Sequence, residues 1–140
     1  MKFSYQKLPF EGFDTRQPLI ARPILPVYLH GKNHRTPSPY YALLDSGADK
    51  ILMPAELAEV VGIKDFTKGR LEPTVGIANQ RADVYYHDNL SIEIVGHSKK
   101  LSISIGFSDK IFLPILGRSF FIHFKSVIFS ERKEEIELKD

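Results

Sequence analysis

Asp45, Ser46 and Gly47 are the residues of this chain whose types and spacing best suit chemistry. They break off an apolar run, Tyr41-Ala42-Leu43-Leu44, which reads as a buried strand; Asp-Ser-Gly straight after such a run reads as a tight loop. A carboxylate is thereby delivered at the mouth of a core strand. Beside it stand a hydroxyl, a residue without Cβ and the methyl of Ala48, which leaves room for a second chain or an extended backbone to approach. A carboxylate so placed takes a proton from water, and two that share one proton divide the roles of base and acid in splitting an amide. Asp-Ser-Gly also occurs in ordinary turns, where Asp and Ser bond the local backbone. Here Ile51-Leu52-Met53-Pro54 follows, so the loop interrupts core on both sides.

Rival chemistries find little support. The histidines His30, His34, His87, His97 and His123 are scattered. His30 and His34 are four apart but fall in a proline-rich loop, and His87-Asp88 reads better as solvated loop than as a metal pair. There is no His-Glu-x-x-His, no acidic calcium loop, no nucleophile elbow and no phosphate loop. Cysteine is absent, which removes both a disulfide framework and thiolate chemistry. No cofactor and no metal are expected.

A second stretch answers the first. Ile111-Phe112-Leu113-Pro114-Ile115-Leu116 is apolar and ends at Gly117-Arg118. The pair of motifs, Asp45-Ser46-Gly47-Ala48 and Ile115-Leu116-Gly117-Arg118, resembles the retroviral-type aspartic proteases, the retropepsin-like family, over roughly residues 18 to 125. The resemblance implies an all-β closed barrel with one or two short helices. Asp45 is the catalytic residue it implies. Ser46 would bond across a two-fold axis, Gly47 would offer its carbonyl to a substrate backbone, and Asp49 would pair with Arg118. Gly76-Ile77-Ala78-Asn79-Gln80 falls where the family carries its flap, a hairpin that closes over substrate, although viral flaps are richer in glycine. Ser119 and Lys50 depart from the family, which often has Asn or Asp after the Arg and a second acidic residue after the Asp. Only one Asp-Ser/Thr-Gly is present, since Asp14-Thr15 is followed by Arg16. The second carboxylate must then come from a second chain, in an isologous homodimer.

The elements that must position these residues follow from pattern. Residues 1–17 read as an N-terminal extension, whether edge strand, dimer arm or flexible lead, and 18–140 as the protease domain. Ile24 to Leu29 reads as a strand, punctuated by prolines that suit a sheet edge. Gly31 to Pro39 is loop and Tyr40 to Leu44 a strand. Pro54 opens a helix over Ala55 to Val61, with Leu57, Val60 and Val61 on one face and Gly62 as the stop. A hairpin runs from Val75 to Val84 with its tip near Ala78 to Gln80. Leu90 to Val95 and Leu101 to Ile105 alternate apolar and polar residues as a second hairpin. Ile111 to Leu116 is a strand, Phe120 to Phe124 a short helix, and Val127 to Phe129 with Ile136 to Leu138 a terminal hairpin.

The whole-chain numbers agree with one soluble domain. A length of 140 residues and 43% hydrophobic content suffice for a core. A net charge of +2 gives no electrostatic reason to expect nucleic acid. No apolar run reaches the ~18 residues of a membrane span or the length of a signal peptide, so a cytoplasmic protein is expected. The reading is an aspartic endopeptidase acting on extended polypeptide. Its alternative is a catalytically inactive barrel of the same kind, kept as a dimerisation or peptide-binding module. Whether the terminal hairpin builds the dimer interface, as chain termini do in viral relatives, stays open at this level.

Overall fold

A computed structural model describes residues 1–8 and 19–140. Phe10 and Phe13 of the expected extension lie outside the described residues. The chain forms β1 (Lys2–Ser4), β2 (Ile24–His30), β3 (Tyr40–Leu44), β4 (Ile51–Pro54), α1 (Glu56–Val60), β5 (Arg70–Val75), β6 (Arg81–Ile94), β7 (Lys100–Ser108), β8 (Ile115–Leu116), α2 (Arg118–Phe121), β9 (Ser126–Ser130) and β10 (Glu135–Lys139). Strands run in the order β2-β3-β8-β4-β7-β6, and β6 pairs back onto β2, closing a six-stranded barrel. β5 lies outside β6 as one arm of a hairpin, and β1-β10-β9 make a separate three-stranded sheet. The expected all-β closed barrel with two short helices is what the chain adopts.

The barrel closes around side chains that alternate inward. Leu25, Val27 and Leu29 of β2 are fully buried, as are Ile92 and Ile94 of β6 and Ile105 of β7. The period-two pattern of Leu90–Val95 and Leu101–Ile105 thus becomes one wall. β6 is longer than expected. A register shift between His87 and Leu90, with Asn89 at φ 60°, joins Tyr85–Asp88 to the following strand. Such a bulge bends a strand without ending it.

Several local expectations are corrected. β2 is no edge, because it pairs with β3 and β6; Pro26 stands where the β6 ladder ends, and its carbonyl takes the Val95 N–H at 3.0 Å. Its missing donor interrupts nothing there. Pro54 closes β4, paired to Ser108, instead of opening the helix, and Ala55 is the cap of α1. Leu57, Ala58 and Val61 are its buried face, with Val60 only half-buried. The strand expected over Ile111–Leu116 shrinks to Ile115–Leu116. Pro114 offers a carbonyl to Leu43 N–H at 2.9 Å but no donor, and Phe112 points out, 72% exposed. The helix expected at Phe120–Phe124 starts earlier, at Arg118, because Gly117 caps it; Phe120 is fully buried. The terminal hairpin is present, with Ile136 and Leu138 buried, and Lys2–Ser4 is an edge strand on β10. No helix of the described residues is long and apolar enough to cross a membrane.

Candidate active site

Asp45 stands at the carboxyl end of two parallel strands. β3 pairs with β8 through Leu43–Ile115 and Leu44–Leu116, and the next N–H, that of Asp45, donates to Leu116 O at 3.0 Å. Apolar burial of Leu44 and Leu116 therefore fixes where the carboxylate emerges. The chain then turns at once. Asp45 Oδ1 accepts the Gly47 N–H at 2.8 Å and Asp45 O accepts the Ala48 N–H at 3.2 Å. This is the Asx turn that Asp-Ser-Gly favours. The backbone bond orients the carboxyl group; Asp45 as a residue is half-buried, while Ser46 and Gly47 are exposed.

The loop is held from behind by the start of α2. Arg118 N–H donates to Ala48 O at 2.8 Å and Ser119 N–H to Asp49 O at 2.9 Å. Gly117 makes this possible: a Cβ there would fall 2.3 Å from Lys50 O and 2.5 Å from Ala48 O. Arg118 Nε lies 3.8 Å from Asp49 Oδ1, with the two side chains 68% and 78% exposed. An ion pair of that length and exposure contributes little, so backbone contacts do most of the fastening. Ser119 Oγ is buried without a hydrogen-bond partner among the described residues.

In front of the loop lies the β5–β6 hairpin. Its arms pair from Arg70–Tyr86 to Val75–Arg81, and Gly76 N–H closes the tip onto Gln80 O at 2.8 Å. Ala78 and Asn79 adopt φ of 61° and 56°, the left-handed conformation that Asn tolerates and Ala adopts at a cost. Between hairpin and loop is a cleft of about 610 Å³. Asp45, Gly47, Ala48, Asp49 and Lys50 line one side, and Glu72 to Gly76 the other. Leu52 and Tyr86 also line it; with Val84 they form a small apolar cluster beside the main core. Burial pushes the Tyr86 phenol up, and the Glu72 carboxylate pushes it further in the same direction.

The structure thus brings Asp45, Gly47, Ala48 and Asp49 to one cleft with Gly76, while Gly117 and Arg118 sit behind the loop as its brace. Ala78, Asn79 and Gln80 are at the exposed tip of the hairpin. Sequence reasoning missed Glu72, Thr74 and Tyr86. The available signal was pairing symmetry: a tip at Gly76–Gln80 implies a first arm as long as the second. Among the described residues no group of His, Asp or Glu is clustered to hold a metal ion.

Neither protein-family models nor curated proteins give a match to this sequence. Solved structures do. The fold is similar to that of the EIAV protease, solved in complex with the inhibitor HBY-793, with a TM-score of 0.53 and 21% sequence identity over 76% of this chain and 91% of that one. At that identity the likeness concerns the fold, and the fold of this chain is retropepsin-like.

Proposed function

We propose that this chain is an aspartic endopeptidase that works as a homodimer, with one Asp45 from each copy forming the catalytic pair. The observation that carries the reading is Asp45, a half-buried residue whose carboxylate is oriented by the Gly47 N–H, in a cleft shared with the β5–β6 hairpin. The retropepsin-like fold supports it. An extended polypeptide would lie in that cleft under Gly76–Gln80, and the hairpin would exclude water and offer backbone hydrogen bonds. Ser46 would bond across the axis and Gly47 would present its carbonyl to the substrate.

The chemistry follows from like charges held close. Two carboxylates a few ångströms apart do not both ionise cheaply, so the pair keeps one proton. The ionised member takes a proton from water, which attacks the scissile carbonyl. The protonated member donates to the carbonyl oxygen, and a proton then passes to the leaving amine.

The test is digestion of a mixed peptide library from about pH 4 to about pH 7.5, beside Asp45→Asn at matched concentration. Cleavage should fall by about 10²–10⁴-fold or more in the variant while its circular dichroism is unchanged. A well-folded wild-type dimer that cuts nothing would favour the non-catalytic peptide-binding module instead.

A further inference from the structure

β2 starts beside the active-site loop, where Ile24 pairs with Leu43, and ends at His30. An extended strand of that length puts His30 about 20 Å away, at the opposite end of the barrel. His30 thus belongs to a strand and not to the loop expected of it. At that end His30, Lys32, His34, Arg35, Ser91 and Lys100 line an open pocket of about 460 Å³. No carboxylate is among its lining residues. The Glu93 carboxylate beside it is already engaged: Oε2 lies 2.7 Å from His30 Nε2, and since an ionised carboxylate only accepts, the ring donates. Among the described residues Lys32, Arg35 and Lys100 make no ion pair.

The backbone that carries these cations is fastened. Gly31 N–H donates to His34 O at 2.7 Å, and a Cβ on Gly31 would collide with Val61 O, so the turn lies against the backbone at the end of α1. Thr36 is fully buried. Its N–H donates to Leu29 O at 3.0 Å, and its Oγ1 accepts the Leu29 N–H at 3.2 Å. Between these anchors Arg35 lays its guanidinium over the Tyr28 ring, 4.3 Å from the ring centre. Stacking sets the plane of the guanidinium and leaves its edge N–H groups free to meet an oxyanion. Groups held in place beforehand lose less freedom when a ligand binds.

We propose that this pocket binds the phosphoryl group of a small molecule, held among Arg35, Lys32 and Lys100, at a site separate from the Asp45 cleft. Arg35 offers a pair of N–H donors to two phosphoryl oxygens, the two lysines supply point charges, and Ser91 adds a hydroxyl. The volume exceeds that of a phosphoryl group alone and falls in the range of small-ligand sites, so a group carried on the phosphate has room. Extent argues against a nucleic acid. Tracking a polyanion backbone takes a basic stripe, and three fixed cations gathered in one pocket of a chain with net charge +2 form none. The site stands whether or not the chain cleaves peptides.

The test is calorimetric titration of the full chain with inorganic phosphate and with glycerol 3-phosphate, at an ionic strength of about 0.15 M set by chloride. One site per chain should fill with a Kd of about 1 mM or tighter. The tighter of the two ligands tells whether free phosphate or its ester is the better fit. Arg35→Ala should weaken binding about tenfold or more. Lys100→Ala, which changes an exposed side chain and so keeps the fold, should weaken it in the same direction, with unchanged circular dichroism. Asp45→Asn should bind as the wild type does. Phosphate that binds no better than chloride, or binding that survives both Arg35→Ala and Lys100→Ala, overturns the proposal. So does a shift caused by Asp45→Asn, which would put the ligand in the cleft. A single-stranded DNA oligonucleotide that displaces glycerol 3-phosphate and binds far more tightly would overturn the small-molecule assignment in favour of a polyanion.

Discussion

A methyl group added at Gly117 would sit inside contact distance of two carbonyl oxygens, those of Lys50 and Ala48. Neither can withdraw without releasing the loop that carries Asp45. Gly117→Ala should therefore cost about 3 kcal/mol, seen as a lower urea midpoint, and should lower cleavage beyond that loss. Arg118→Ala removes an exposed side chain whose nearest acidic atom, Asp49 Oδ1, is 3.8 Å away. It should change stability by less than about 1 kcal/mol and leave cleavage within a few-fold. If the two substitutions rank the other way round, the ion pair and not the backbone holds the loop. Asp45 itself was readable in the sequence because an apolar strand stopped at it. The brace was expected as an Asp49–Arg118 pairing; that backbone bonds carry it was not legible, since contacts between positions some seventy residues apart leave a single glycine as their trace.

At the scale of elements, strands that wall the barrel were legible and those at its margins were not. Leu90–Val95 and Leu101–Ile105 alternate because one face of each is core. β5 has the pattern Arg-Leu-Glu-Pro-Thr-Val with Leu71 and Val75 exposed, since it lies outside the barrel and buries little. β8 looked three times its length because apolar residues before it serve a turn and a surface. β1 is held by tertiary contact: Tyr5, just after it, is buried and donates its hydroxyl to Glu131 at 2.7 Å. Burial, and then Glu131, push the Tyr5 phenol up to about 12. A phenol whose folded value is raised stabilises the fold fully below its unfolded value of about 10, and that contribution is lost as pH climbs through the folded value. The stability difference between wild type and Tyr5→Phe should accordingly shrink from about pH 10 to about pH 12. A difference constant across that range would show that the Tyr5 hydroxyl titrates alike in both states.

For the whole molecule, the proposed function sets a demand on assembly, because the chain carries one Asp-Ser-Gly motif. The six-stranded barrel delivers one Asp-Ser-Gly carboxylate, that of Asp45, to the cleft, and the proposed chemistry pairs it with a second Asp45. On the proposed reading one protomer holds half a site, so specific activity should rise with enzyme concentration across the dimer's dissociation constant, then level off. The most direct test of the central claim is subunit mixing at saturating total concentration, with wild type replaced stepwise by Asp45→Asn. If each site takes one Asp45 from each chain, active dimers fall as the square of the wild-type fraction, so a half-and-half mixture retains about one quarter of the cleavage. Retention of about one half, in simple proportion to wild type, would mean that a single chain carries the whole site and would contradict the account.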